Sequence, residues 1–206
     1  QKSDSVFHIF KNQNRKGNFQ IRKLIKKEVG IHIEQYNKNG QLIFSGSSLQ
    51  GFPLNLHGAG TLFDKDGQPM AETAFYRGKQ TAEEFLFHPV DSSLTITTKP
   101  KFPGGEKAFK IEIAQNVRYP VIAQENNITG AVYVKFIIGK NGKMEHFELA
   151  KPATKVLENE GIRTLKRIKK RWQPAESNGT KTEVWHYAKI AFSQFGNMGV
   201  NTPGFF

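Results

Sequence analysis

The chain has 206 residues, of which 37% are hydrophobic and 23% charged, proportions that suit one or two folded domains and exclude wholesale disorder. Thirty Lys plus Arg against eighteen Asp plus Glu give a net charge of +12, which favours anionic surfaces; no helix-turn-helix or RNA-binding aromatic box accompanies it, so a nucleic-acid partner is not expected. There is no cysteine, which excludes disulfide and thiol chemistry, and no apolar run approaches the roughly 20 residues that span a bilayer.

In chain order, Val6 to Phe10 can form a strand and Asn14 to Asn18 is turn-like. Phe19 to Ile25 is amphipathic in either period. From Gly30 an internal repeat sets in. Tyr36-x-Lys38-x-Gly40-Gln41 with Gly51 matches Phe63-x-Lys65-x-Gly67-Gln68 with Gly78, each position offset by 27 residues. Each unit reads as a strand, an Asn-Gly or Asp-Gly turn and a second strand. Two such hairpins bury little by themselves, so flanking strands at 19–27 and 84–97 are expected to complete a meandering antiparallel sheet. Glu83 to Val90 and Ser93 to Thr98 are strand-like, parted by Pro89 and Asp91-Ser92. The run Lys99-Pro100-Lys101-Phe102-Pro103-Gly104-Gly105 has the composition of a boundary. The expected domains are 1–98 and 99–206.

In the second half, Glu106 to Val117 has a short helical pattern through Phe109 and Ile113, with Ile111 as a candidate third apolar position. Ala131 to Ile138 alternates as a strand, with Val132, Val134, Phe136 and Ile138 on one face. Asn141-Gly142 supplies the positive φ angles of a tight turn, so Met144 to Leu149 pairs back antiparallel. After Pro152, Thr154 is placed to cap a helix whose apolar stripe runs through Val156, Leu157, Gly161, Ile162, Leu165, Ile168 and Trp172. Glu158 and Glu160 lie near its positive end and Lys169 to Arg171 near its negative end. Pro174 ends it, at Trp172-Gln173-Pro174. Asn178-Gly179 is another turn, and Glu183 to Phe195 is the last strand, with Val184, His186, Ala188, Ile190 and Phe192 on one side. The order helix, strand, strand, helix, strand is a small α+β unit, helices on an antiparallel sheet. Gly196 to Phe206 has no periodicity and reads as a tail.

Phe102-Pro103-Gly104-Gly105-Glu106, Tyr119-Pro120, Gly130 before a long strand, Asn141-Gly142 and Trp172-Gln173-Pro174 stand in one order over the last half of the chain. That segment, about 99–195, resembles the C-terminal domain of the TonB family. The resemblance implies a non-enzymatic periplasmic domain that captures an extended segment of an outer-membrane transporter, or of another envelope protein, by strand addition. It implies that Glu183 to Phe195 is the edge strand, with Val184, His186, Ala188, Ile190 and Phe192 as partner-binding positions. It adds a second contact region at Asn116, Val117 and Arg118 beside Tyr119. Residues 30–80 resemble the variant MORN repeats of YwqK-like proteins, a family associated with interaction and scaffolding. The chain opens at Gln1 without an initiator methionine, as a mature product does after signal-peptide removal or as a trimmed chain does. Its nine prolines leave no room for the proline-rich spacer of a TonB energy transducer, which argues against force transduction.

No catalytic, cofactor or metal site is expected. The six histidines are far apart, without an i, i+4 pair. Gly58-Ala59-Gly60 lacks the third glycine and the helix of a dinucleotide loop. Gly46-Ser47-Ser48 is no nucleophile elbow. The acid pairs Glu83-Glu84 and Glu158/Glu160 have spacings that do not face each other on a helix. The basic side of the main helix, Arg163, Lys166, Arg167, Lys169, Lys170 and Arg171, reads as a solvated face, and Trp172 as a core plug. The alternative to peptide capture is a structural or assembly protein, which pairs its last strand with a second copy in a homodimer or lies on cell-wall polymer through its basic face.

Overall fold

A computed structural model describes residues 9–13, 19–26, 31–37, 39–49 and 55–193. Contacts divide them into two compact units that part between Leu86 and Phe87, so the segment that opens at Phe87 packs with the later residues.

In the first unit, β1 (Ile9–Gln13), β2 (Phe19–Lys26), β3 (Ile31–Tyr36), β4 (Leu42–Ser48), β5 (Leu56–Phe63), β6 (Pro69–Tyr76) and β7 (Lys79–Phe85) follow one another. They form one seven-stranded antiparallel meander in chain order. The two sequence repeats are the β3–β4 and β5–β6 hairpins, and their turns are built alike. Asn37 Oδ1 accepts from the N–H groups of Asn39 and Gln41, at 2.9 and 3.0 Å; Asp64 Oδ1 accepts from Asp66 and Gln68, both at 2.9 Å. Gly40 and Gly67 share a φ of 79°. Gln41 Nε2 donates to Lys65 O at 2.8 Å, tying one turn to the next. Inside the sheet, Gly46 and Gly60 stand opposite each other because the Phe44 ring lies across both: a Cβ there would come within 2.5 and 2.7 Å of it.

The strand that completes this sheet is β7, not a strand reaching to 97. Ser93 to Thr98 forms none, because Asp91 Oδ1 takes both the Ser93 N–H and its hydroxyl, at 3.0 and 2.7 Å. Such local side-chain bonds compete with strand pairing. The expected closing glycine of the first repeat, Gly51, and the C-terminal tail lie outside the described residues.

The second unit contains β8 (His88–Pro89), α1 (Gly105–Asn116), α2 (Val121–Glu125), β9 (Gly130–Ile138), β10 (Met144–Leu149), α3 (Lys155–Arg167), β11 (Ala175–Ser177), β12 (Thr180–Thr182) and β13 (Val184–Phe192). Its main sheet has the order β10-β9-β13-β8, beside a small β11–β12 hairpin. Val132, Val134, Phe136 and Ile138 are wholly buried in one core with Phe109, Ile113, Leu157 and Leu165 of the helices. Gly161 is what lets α3 lie so close: a Cβ there would come within 2.8 Å of Val132.

Helix α3 ends at Arg167, earlier than its apolar stripe predicts. Ile168 has already turned to extended backbone, and the chain crosses to the β9–β10 turn, where Trp172 N–H donates to Gly142 O at 2.9 Å. Trp172 is 4% exposed, with rings of Phe102, Phe109 and His186 around it. Tertiary packing of this indole outweighs little more than one further turn of helix. Thr154 is the N-cap without a side-chain bond; Glu158 instead reaches back past it to accept the Ala153 N–H at 3.0 Å.

The Trp172–Gly142 contact has a direct test. Gly142 has φ +76°, and a Cβ there would lie 1.9 Å from Trp172 O. Gly179 has φ +79° with open space around it. Denaturant unfolding should show Gly179→Ala losing about 1–2 kcal/mol from left-handed backbone strain alone, and Gly142→Ala about 3 kcal/mol or more. Equal losses would mean that the packing of the turn on Trp172 contributes nothing.

Candidate partner-binding site

Strand β13 pairs with β9 over all nine of its residues without a register shift, from Val184↔Ile138 to Phe192↔Gly130. On its other side β8 reaches only Val184 and Trp185. Val90 N–H donates to Glu183 O at 3.0 Å on that side, so by strand alternation the odd-numbered residues turn their backbone groups to the β8 side and the even ones to β9. Beyond β8, therefore, the backbone groups on that side belong to Tyr187, which is wholly buried, and to the half-buried Lys189 and Ala191.

The five positions singled out on this strand belong to the other set. Val184, His186, Ala188, Ile190 and Phe192 are all buried, with side chains in the core and backbones turned to β9. His186 is stacked on Phe87 with ring centres 4.0 Å apart. An added strand would meet the alternate residues instead. The face opposite the helices explains where part of the positive charge is held: Lys135 lies 4.7 Å from the Trp185 ring centre, and Lys151 and Lys189 lie 4.9 and 5.7 Å from that of Tyr133, cation–π geometry.

At the opposite rim, β10 is irregular. Its register with β9 shifts between Glu145 and Glu148, and His146 takes a φ of 50°. A bulge of this kind twists an edge away from further pairing.

The second region, Asn116 to Tyr119, joins α1 to α2. Val117 and Tyr119 are buried and Arg118 is exposed. Tyr119 packs its ring 5.5 Å from that of Phe192 and donates its hydroxyl to Ile128 O at 2.9 Å. This contact brings the two regions together at the C-terminal end of β13. The backbone of 116–118 is held from α3. Glu160, 7% exposed, accepts the Arg118 N–H at 2.6 Å and the Thr164 hydroxyl at 3.2 Å, and it is paired with Arg163. Arg163 donates in turn to Asn116 O at 3.3 Å. Burial raises the Glu160 pKa, but the bonds from Arg163, Arg118 and Thr164 and the guanidinium charge outweigh it and hold the carboxyl below its usual value. The same pairing raises Arg163.

Helix α2 and the Glu160 clamp are absent from the sequence-level reading. A signal for the first was available, since Pro120 before Val-Ile-Ala-Gln-Glu is a helix start; the carboxylate and the loop it grips lie 42 residues apart, and nothing local connects them. Of the basic residues expected along the main helix, Lys169 to Arg171 lie past the end of α3, where Lys170 pairs with Glu112 and Arg171 reaches Asn141 O. Among the described residues no three His, Asp or Glu side chains gather as metal ligands, and no helix is long and apolar enough to cross a membrane.

The second unit is an α+β domain, with helices packed on one face of an antiparallel sheet. Residues 115–193 match the family model described as Gram-negative bacterial TonB protein C-terminal, so that segment is similar to a TonB C-terminal domain. Comparison with curated proteins and with solved structures gives no match.

The clamp sets the acid response. A carboxyl whose folded pKa is depressed stabilises the fold above its unfolded pKa, near 4.3, and loses that contribution as pH falls through the folded value. Glu160→Gln should therefore cost about 2 kcal/mol at neutral pH, and its Tm should converge on that of the unaltered protein as pH drops below about 4. Parallel Tm curves from pH 7 to 2 would show that the depressed carboxyl is elsewhere.

Proposed function

We propose that the second unit is a non-enzymatic periplasmic binding module that captures an extended segment of an outer-membrane transporter, or of another envelope protein, by adding it as a strand beside β13. The observation that carries this reading is the asymmetry of the sheet. One rim is a bulged β10; the other is a nine-residue strand in unbroken register, overlapped by β8 at its first two residues. Strand addition needs a regular edge, since backbone groups supply the affinity. The match of 115–193 to the TonB C-terminal family supports the compartment and the partner class. Asn116 to Tyr119 provide a second contact, placed beside the strand end by Tyr119 on Phe192. The first unit, with its repeated hairpins, serves as a separate interaction sheet.

Ala191 separates backbone from side-chain recognition. Its N–H faces the rim, so a proline there removes a donor to an added strand while sparing the ladder with β9. Photo-crosslinking from position 191 in intact Gram-negative envelopes should identify the bound segment. Ala191→Pro should then weaken a synthetic copy of that segment at least tenfold, with Ala191→Ser within twofold and both variants folded by circular dichroism. Equal affinity of the two variants would sink strand addition at β13.

A further inference from the structure

Tertiary contacts gather cations of the second unit at one end of it, where three stretches far apart in sequence lie side by side. The turn 139–143 is closed by Gly139 N–H on Lys143 O at 2.9 Å and takes the Trp172 N–H on Gly142 O, also at 2.9 Å. Gln173 then pairs both ways with Lys101, at 2.8 and 3.0 Å. Lys101, Lys140, Lys143, Arg167, Lys169 and Arg171 are all exposed at this basic pole. Among the described residues none of these six forms an ion pair. Two acids stand near: Glu112, already paired with Lys170, and Glu145 beside Gly139. Lys166 and Arg167 have a local explanation, since the negative end of α3 favours cations in its last turn. That effect fades within a turn and does not account for Lys101, Lys140 and Lys143, which reach the pole from other segments.

We propose that this pole binds the anionic headgroups of a phospholipid bilayer. Cations crowded without counter-charges repel one another, and phosphate brought from outside relieves that repulsion. The make-up of the pole selects a headgroup layer among polyanions. Lysines dominate it, and these are point charges on flexible stems that meet phosphates without a fixed geometry, unlike the planar fork of arginine. The aromatic side chains there, Phe102 and Trp172, are buried, so the pole lacks the stacking platform that a single-stranded nucleic acid requires. Ile168 is buried as well, which leaves nothing to insert among acyl chains. Binding is therefore by charge alone, the regime in which each Lys or Arg adds about fivefold. The pole also stands at the other end of the sheet from the Asn116–Tyr119 loop: β9 runs from Gly130, opposite Phe192, to Ile138 at the turn, a length of about 25–30 Å. A unit seated on a bilayer by its pole holds that loop away from the headgroups.

The test is flotation of the full chain with vesicles of phosphatidylcholine alone or mixed with phosphatidylglycerol. The expected result is at least tenfold tighter binding to the mixed vesicles at about 0.1 M salt, and its loss at about 1 M, where the screening length falls to about 3 Å. Lys101 and Lys143 make no side-chain hydrogen bond among the described residues, so the double variant Lys101→Gln/Lys143→Gln should keep its Tm while binding weakens at least tenfold. Arg118→Gln/Lys155→Gln lowers the net charge equally, beside Glu160 and at the first residue of α3, and should change binding by less than about threefold. Equal binding to the two kinds of vesicle, binding that survives the higher salt, or equal losses from the two double variants would each overturn the proposal. So would tighter binding to single-stranded DNA or to purified peptidoglycan than to the mixed vesicles at equal negative charge, which would make the pole a polymer site. The pole shares no residue with the strand-capture site, so these outcomes leave peptide capture to the separate test at Ala191→Pro.

Discussion

The second unit depends on the pairing of β9 with β13. Nine residue pairs in unbroken register put Val132, Val134, Phe136 and Ile138 of one strand on the same side as Val184, His186, Ala188, Ile190 and Phe192 of the other, and the helices cover that side. A slip of one residue would turn every one of these side chains away from the core. The same alternation decides what the rim can offer: with the even residues of β13 committed to β9 and the core, the odd ones set the backbone that faces outward.

Around that pairing the remaining parts act as fasteners. Trp172 locks the β9–β10 turn through a backbone bond to Gly142 and fills the space among Phe102, Phe109 and His186. Glu160 fastens the loop between α1 and α2 to α3, and Tyr119 fastens the same loop to the end of β13. A buried carboxylate is tolerated here because it is fully supplied with donors: a backbone N–H, a hydroxyl and a guanidinium. The loop that flanks the strand is thus held by the same helix that covers the sheet.

The two units use their sheets in different ways. The second covers one face with helices and leaves functional interest at a rim. The first repeats one hairpin design, in which Asn37 and Asp64 play the same turn-closing role, and small residues inside its strands give the face relief. Glycine and alanine at corresponding depths in neighbouring strands do two jobs there. On one side the glycines admit the Phe44 ring; on the other the alanines line a cavity.

Local pattern by itself determined most of the elements. Alternation marked β9 and β13; Asn141-Gly142 marked the turn that returns the chain as β10; the 27-residue offset marked the paired hairpins; and the ordered motifs from Phe102 to Pro174 marked the resemblance to the TonB C-terminal domain, which the match over 115–193 supports. These are signals between residues a few positions apart. Tertiary structure decided what depends on residues far apart in sequence. It ended α3 at Arg167 because Trp172 packs better against the β9–β10 turn than at the end of a longer helix. It drew the segment from Phe87 onward into the second unit, set Glu160 on the backbone of Arg118, and turned the even residues of β13 into core. Sequence spacing says which residues share a side of a strand, but which side is buried depends on where the helices lie, and that is a property of the folded unit.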